Sequence, residues 1–187
     1  MGVRHLLIAV IALLGAVIAF DLIFPPPLDR SENISVMVTD RDGKPLRAFP
    51  TEEGGWRFKA DLERLDPEFV RALVRVEDKR FYQHSGTDWL GMIRAATSSL
   101  GAGRVESGGS TITMQTARLL EPRPRTIRSK FIELVRAHPI PRRLDKAEIL
   151  ELYLTLTPYG GNLEGVRAAS GSYLGHEADR LPAAEFS

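Results

Sequence analysis

An unbroken hydrophobic run near the start of the chain covers residues 6–20 and follows Arg4. Asp21 interrupts it, and three more apolar residues precede the prolines at 25–27. Fifteen apolar residues form about 22 Å of helix, and the three added residues bring the segment closer to the ~30 Å of a bilayer core. No small-x-small cleavage site follows, which favours an anchor over a cleaved signal peptide. Residues 1–24 are predicted to be an uncleaved transmembrane signal anchor with the body outside.

A small β element is predicted directly after the anchor. Apolar positions alternate along residues 34–38, and an Asp-Arg-Asp-Gly turn follows at 40–43. Two candidate partner strands lie further along, at residues 46–49 and 56–58. The proline-rich start, residues 25–32, predicts a stiff, extended spacer. Residues 25–60 are therefore predicted to be a linker with a small β element that packs under the main domain.

The pattern becomes helical from Asp66 onward, because apolar residues then recur at spacings of three and four. Asp66 and Pro67 form the typical start of a helix, which ends near Glu77. Further helices are predicted at residues 88–100, 110–120 and 126–137, after a capping box at Asp145 and Glu148, and from Asn162. Glycines at residues 101–109 predict a flexible loop. Residues 61–187 are predicted to form a mainly α domain.

Composition excludes several classes of protein. With 187 residues, 43% hydrophobic and 26% charged, the chain has the composition of one ordinary globular domain. The 25 Lys+Arg and 24 Asp+Glu residues give a net charge of +1, so we expect no nucleic-acid partner. The chain has no cysteine, which excludes a disulfide framework, a thiolate zinc site and a cysteine nucleophile.

Two glutamates are the first candidates for chemistry. Glu77 ends a predicted helix and precedes a loop with His84, and a carboxylate at such a position can act as a general acid or base. Glu133 lies on another predicted helix beside Lys130. Glycosyl chemistry commonly uses paired carboxylates. For either residue alone, a solvated helix end or a surface ion pair is the ordinary alternative.

A basic segment between residues 121 and 146 stands out from the nearly neutral chain. Eight basic residues against three acidic ones leave a local excess of +5, since 8 − 3 = 5. Such an excess suits a phosphate or an anionic lipid headgroup, and a solvated face is the alternative. The basic residues are Arg123, Arg125, Arg128, Lys130, Arg136, Arg142, Arg143 and Lys146.

Five stretches, in this order, resemble the motifs of the peptidoglycan glycosyltransferases, glycosyltransferase family 51. The first, E-D-x-x-F-x-x-H-x-G-x-D, matches residues 77–88 at every fixed position. The second, G-G-S-T-I-T-Q-Q, matches residues 108–115 except at Met114. That methionine and the residues after it are most similar to the PbpC-type bifunctional penicillin-binding proteins.

The remaining three motifs each depart from the family pattern at one position. The third, R-K-x-x-E, has Ser129 in place of the arginine. The fourth, K-x-x-I-L-E-x-Y-L-N, has Thr155 in place of the asparagine, and the fifth, G-V-x-x-A-S-x-x-Y-F-G, has Leu174 in place of the phenylalanine. Two prolines, Pro139 and Pro141, predict that the helix with Glu133 ends before them.

The resemblance implies a lysozyme-like, α-rich fold and the polymerisation of lipid II into glycan strands, with inversion and release of undecaprenyl pyrophosphate. Glu77 matches the general base of the family, and Glu133 matches its second glutamate, near the donor pyrophosphate. The resemblance also implies substrate-binding roles for Asp78, Phe81, His84, Ser110, Thr111, Gln115, Arg118 and Lys130.

The implied partners are lipid II, the nascent glycan strand, the cytoplasmic membrane and other cell-wall synthesis proteins. The implied location is the inner membrane, crossed once, with the catalytic body on the periplasmic face. No cofactor is assigned. A divalent cation, Mg or Mn, bridging pyrophosphate and carboxylates is the candidate that the chemistry suggests, and its ligands are unknown.

Family domains continue for several helices beyond the fifth motif and then usually into a transpeptidase. This sequence has no Ser-x-x-Lys and no Lys-Thr-Gly motif. We therefore expect a C-terminally incomplete transferase domain, truncated before the transpeptidase. The alternative is an inactive module that binds lipid II or a cell-wall partner. A lysozyme-like hydrolase is a third hypothesis, against which the S-T-I-T motif and the basic segment argue.

Overall fold

The computed structural model describes residues 25–94 and 109–178, and residues 5, 8, 11, 12, 15, 16, 18, 19 and 23. Its helices are α1 (Asp29–Glu32), α2 (Pro67–Glu77), α3 (Ile112–Leu120), α4 (Ile127–Arg136), α5 (Lys146–Leu156) and α6 (Val166–Tyr173). Its strands are β1 (Val36–Thr39), β2 (Pro45–Phe49), β3 (Trp56–Arg57), β4 (Pro158–Gly160) and β5 (Leu163–Glu164). Short 3-10 turns lie at Leu62–Arg64, Phe81–Gln83 and Ile140–Arg142.

Helix α5 lies at the centre of the hydrophobic core. Ile149, Leu150 and Leu154 have no exposed surface, and Leu156 is almost as deeply buried. From Ile149 onward, α5 is buried except at the half-buried Glu151, whereas Ala147 and Glu148 in its first turn are exposed. Most of α5 is therefore a core helix. Helix α3 packs against α5, and α4 packs against α3. The predicted mainly α class is confirmed.

Local capping signals explain where two of the predicted helices begin. The Asp66 carboxylate accepts hydrogen bonds from the backbone N–H groups of Glu68 and Phe69 before α2. Asp145 and Glu148 form the predicted capping box before α5, each side chain accepting from the other residue's backbone N–H. A cap of this kind stabilises a helix by about 1 kcal/mol.

Two predicted helix starts are wrong. Thr111, not Ser110, caps α3, because the Thr111 hydroxyl accepts a hydrogen bond from the backbone N–H of Met114 at 3.1 Å. The sixth helix does not open at Asn162. It begins at Val166 after Gly165, since the intervening residues form β5.

The β element agrees with the prediction only in part. Strands β1 and β2 pair antiparallel on either side of the predicted turn. Strand β3 does not join this hairpin and pairs in parallel with β5. The apolar residues Val36, Val38 and Leu46 are exposed, so the apolar side of this alternation is not the covered side. Ser35, which points to the opposite side of the strand from Val36, is buried, and its hydroxyl accepts a hydrogen bond from the backbone N–H of Arg57.

The predicted extended spacer is also wrong. Residues 29–32 form the short helix α1, Pro26 is buried, and Leu28 packs against the core. This segment lies on the body of the protein and is not a free linker.

Several predictions fall largely outside the described residues. The anchor predicted for residues 1–24 is one. Its described positions are helical and exposed, and among described residues no helix is long and apolar enough to cross a membrane. The flexible loop predicted at 101–109 is another. Of the helix predicted at residues 88–100, residues 89–94 are described and helical.

We predict that Gly165→Ala destabilises the fold more than Gly43→Ala. Both glycines have positive φ, 86° and 82°, which costs a residue with a Cβ about 1–2 kcal/mol. A Cβ at Gly165 would also lie 2.6 Å from the carbonyl oxygen of Thr155, whereas Gly43 has open space. Overpacking adds about 1–3 kcal/mol. Urea denaturation of both variants measures the difference, and equal losses of stability would contradict this account.

Candidate active site

Glu77 lies half-buried at the C-terminal end of α2 and faces α3. The side-chain amide of Gln115 donates a hydrogen bond to Glu77 Oε2 at 2.9 Å. The hydroxyl of Tyr153, on α5, donates in turn to Gln115 Oε1 at 3.5 Å. Three helices thus fix one oxygen of the Glu77 carboxylate, while no hydrogen bond from a described residue occupies Oε1.

Asp78 directly follows Glu77, and its carboxylate is buried at the N-terminus of α3. The backbone N–H of Ile112 donates to Asp78 Oδ2 at 3.0 Å, and His84 Nε2 lies 3.0 Å from the same oxygen. The positive end of the helix dipole favours a carboxylate here. A second hydrogen bond runs from the Thr111 hydroxyl to the carbonyl oxygen of Gly86. The first-motif loop, residues 78–88, therefore contacts the start of α3 through two hydrogen bonds.

Phe81 is completely buried beneath this loop. The Lys146 ammonium lies 4.2 Å from the centre of the Phe81 ring, and no described residue forms a hydrogen bond with its buried Nζ. Burial lowers the pKa of Lys146, and the neighbouring Asp78 carboxylate opposes part of that shift. Phe81 and Thr111 thus support the loop from within the protein. Their direct contact with substrate stays a prediction, which their burial does not favour.

Glu133 belongs to a second polar cluster, which joins Glu133 and Lys130 of α4 to Ser110, the residue before the N-cap of α3. Its carboxylate is buried and accepts from Lys130 Nζ at 3.0 Å. The same ammonium donates to the Ser110 hydroxyl. No hydrogen bond or ion pair between described residues joins this cluster to Glu77. Helix α3 and its cap connect the two, since Gln115 lies one turn beyond Thr111.

A cleft rich in arginine lies beside the C-terminal end of α3. It has a volume of about 260 Å³, and Arg118 projects into its lining from α3, three residues after Gln115. Glu164 is the one acidic residue among the described lining residues. The other basic residues in the lining are Arg30, Arg123 and Arg125. This arrangement can hold an anionic group such as a phosphate.

The departures from the third motif have a structural explanation. Ser129 is buried, and both its N–H and its hydroxyl form hydrogen bonds with the hydroxyl of the N-cap, Thr126. Position 129 therefore contributes to the start of α4 and not to the charge of the cleft. Helix α4 ends at Arg136, before the prolines as predicted. Pro141 then packs closely against Gly86 of the first-motif loop.

Two tyrosines beside Glu77 were missed by the sequence analysis. Burial raises the pKa of Tyr153, and the nearby Glu77 carboxylate adds to the effect. Burial, then Tyr153 and Glu77, raise the pKa of Tyr159 to about 12. Both therefore remain protonated hydroxyl donors at neutral pH. Tyr153 is a fixed position of the fourth motif, which is the signal that could have identified it.

No three His, Cys, Asp or Glu side chains come together as a metal site within the described residues. The carboxylates of the candidate site already have protein partners. Asp78 accepts from His84 and Ile112, Glu133 accepts from Lys130, and Glu77 accepts from Gln115. The described side chains therefore do not fit a cation held by the protein alone.

Comparison with known proteins identifies the family. Residues 42–187, more than half of the chain, match the family model described as Transglycosylase. The chain belongs to the transglycosylase family. The resemblance to the peptidoglycan glycosyltransferases stated from the motifs is thereby confirmed.

Relatives of this transglycosylase are penicillin-binding proteins. Penicillin-binding protein 1C of Escherichia coli (strain K12) is 42% identical over 165 residues, which cover 88% of this chain and 21% of that protein. Penicillin-binding protein 1A of the same organism is 37% identical over 82% of the chain and 18% of its own length. Penicillin-binding protein 2D of Bacillus subtilis (strain 168) is 38% identical over 72% of the chain and 20% of its own length. The transglycosylase chain thus spans about a fifth of the length of these curated relatives.

We predict that Lys146→Met stabilises the transglycosylase fold at pH 7. Because the folded protein lowers the pKa of Lys146, the unfolded chain binds this proton more tightly, and wild-type stability rises as the pH rises toward 10.5, the ordinary lysine value. The advantage of the methionine variant should therefore shrink between pH 7 and pH 10.5. Urea denaturation across this pH range measures the difference in free energy of unfolding between the variant and wild type. Lys79→Met, at an exposed position, is the control. A difference that is independent of pH would contradict the prediction.

Proposed function

We propose that this chain is the glycosyltransferase domain of a penicillin-binding protein and polymerises lipid II into glycan strands during cell-wall synthesis. Membership of the transglycosylase family supports this proposal. The observation that carries it is Glu77 at the end of α2, which is held through one oxygen by Gln115 of α3, while Arg118, further along α3, lines a cleft with three other arginines. A base held by α3 and an anion site at the end of that helix suit a transfer reaction with an anionic leaving group. A lysozyme-like arrangement of the helices is part of the same proposal.

In the proposed reaction, Glu77 acts as the general base. The acceptor sugar's 4-hydroxyl oxygen attacks the anomeric carbon of the donor, and Glu77 takes the hydroxyl proton as the new carbon–oxygen bond forms. The bond between the anomeric carbon and the pyrophosphate oxygen breaks, and the pyrophosphate leaves with the electron pair. Attack from the opposite side inverts the anomeric centre. Gln115 orients the carboxylate, so that its other oxygen can receive the proton.

The leaving pyrophosphate needs positive charge more than it needs a proton. Lys130 and Arg118 are the cations we assign to it, with Arg125 in the same cleft as Arg118. Glu133 keeps the Lys130 ammonium in place through their 3.0 Å contact. A divalent cation that arrives with the pyrophosphate would belong to the substrate, and no step of this mechanism is routed through a metal held by the protein.

We further propose that residues 1–24 anchor the domain in the cytoplasmic membrane, with the body on the outer face. The unbroken apolar run of the sequence supports this, and so does the exposure of Ile8, Ile11, Ile18 and Ile23. A lipid-linked substrate requires a site near the bilayer. Lipid II, the growing glycan strand and other cell-wall synthesis proteins are the proposed partners.

We predict that Glu77→Gln abolishes polymerisation of labelled lipid II and leaves the fold intact, because the amide cannot accept the proton. The matched control is Glu68→Gln, on the same helix and 74% exposed, which should keep wild-type activity. Product on gels and circular dichroism together measure the outcome. Retained polymerisation in Glu77→Gln would refute the assigned role. Binding of lipid II without product by the wild-type chain would favour the inactive binding module.

We also predict that the paired substitutions Ile11→Lys and Ile18→Lys release the chain from membranes. Each places a charge within the hydrocarbon core at a cost of about 2.5–3.5 kcal/mol. Extraction of membranes with alkaline carbonate measures this. Wild-type protein should stay in the pellet and the variant should appear in the supernatant, and equal retention of both would contradict the anchor.

A further inference from the structure

The segment that follows the apolar N-terminus, residues 25–35, is here called the stem. The guanidinium of Arg30 in this stem reaches the C-terminal turn of α3. Its Nη1 donates to the backbone carbonyl of Leu119, and its Nη2 donates to Glu164 Oε1 at 3.0 Å. Only 20% of the Arg30 side chain is exposed. The last carbonyls of a helix lack partners within the helix, and a cation is favoured there.

Arg57 holds the stem in this position. Its guanidinium is 1% exposed and donates to the backbone carbonyls of Arg30 and Asn33 at 2.9 and 2.8 Å. The same guanidinium pairs with Glu164, with Nη2 to Oε2 at 2.6 Å. Glu164 therefore bridges two arginines, one from the stem and one from β3. The end of the stem also contacts β3 directly, because the backbone N–H of Ser35 donates to the carbonyl of Arg57 at 2.7 Å.

The stem also contacts the other helix of the candidate site. Arg136, the last residue of α4, donates to the carbonyl of Pro25 at 3.4 Å. Arg136 pairs in addition with Glu121, the C-cap residue of α3. The C-terminal ends of α3 and α4 are thus joined to each other and to the stem. These two helices carry Gln115 and Glu133.

The Arg30 contact falls next to the residues proposed to act on substrate. Leu119 directly follows Arg118, and Gln115 lies one helical turn before it. Since α3 is one rigid helix of nine residues, fixing its final turn also fixes the direction in which Arg118 and Gln115 project. A displacement of about 1 Å in such groups can cost about a hundredfold in rate.

We propose that Arg30 is a positioning residue, and that the stem is a structural part of the catalytic body that fixes α3 through the Arg30–Leu119 hydrogen bond and the Arg30–Glu164 ion pair. This inference rests on the proposed function for its effect on catalysis. Its effect on the conformation of α3 does not depend on any activity.

The first test is hydrogen–deuterium exchange on the whole chain, comparing wild type with Arg30→Gln. We expect faster exchange in peptides from residues 112–121 and unchanged exchange in peptides from 146–156. The matched control is Arg41→Gln, because the Arg41 side chain is 94% exposed on the hairpin. Unchanged exchange at residues 112–121 would overturn the proposal, whether or not the chain polymerises lipid II.

The second test separates positioning from direct binding. For Arg30→Gln we expect kcat for lipid II polymerisation to fall about tenfold with KM changed less than twofold, since an orienting contact is lost and no substrate contact is lost. Arg30→Lys keeps the charge but has a single donor nitrogen in place of the guanidinium fork, so it should restore part of kcat and part of the exchange protection. A raised KM with unchanged kcat would mark direct substrate binding and overturn the proposal. If Arg30→Gln does not fold, the same comparison of Arg30→Lys with wild type decides between these outcomes.

Discussion

The buried carboxylate of Asp78 is the interaction on which the arrangement of the site depends. A polar side chain inside a protein needs partners that replace water, and Asp78 obtains them from the first N–H of α3 and from His84. Leaving a buried acceptor without one of its hydrogen-bond partners costs about 1–3 kcal/mol. The contact therefore fixes the end of α2 relative to the start of α3. Glu77, the adjacent residue, is directed toward Gln115 as a consequence.

Helix α3 then acts as the common support of the site. Its start holds the first-motif loop, its middle presents Gln115 to Glu77, and its end presents Arg118 to the arginine cleft. Lys130 reaches Ser110, the residue just before its cap. Functional groups on a buried helix are held more precisely than groups on loops, because packing against the core locks the backbone that carries them. The burial of α3 against α5 thus serves the chemistry as well as the stability.

The sequence predicted the features that depend on neighbouring residues. The caps at Asp66 and Asp145 are local signals, so the starts of α2 and α5 were correct. The pairing of β3 with β5 joins residues more than 100 positions apart, and no local pattern encodes it. The exposed apolar side chains of the hairpin show the same limit, because alternation identifies two faces of a strand without saying which one is covered.

For the site, the motifs identified residues but not how those residues are supported. Glu77, Gln115 and Lys130 were named from the sequence, and the structure shows which groups each side chain contacts. Tyr159 and Arg30 were not named, because their importance arises from contacts across the fold. The third motif has an arginine where this chain has Ser129, and the structure shows that Ser129 is buried and hydrogen-bonded to Thr126, the N-cap of α4.

The distribution of charge explains how a nearly neutral chain can present a strongly positive cleft. The acidic residues near the cleft are engaged by arginines around its edge: Glu121 pairs with Arg123 and Arg136, and Glu164 pairs with Arg57 and Arg30. Arg118 and Arg125 form no ion pair with any described residue. Their charge is therefore not cancelled within the described part of the chain, and it lies where α3 ends. The ion pairs around the edge hold the scaffold together, while these two arginines supply the positive potential that the proposed transfer of an anionic leaving group would require.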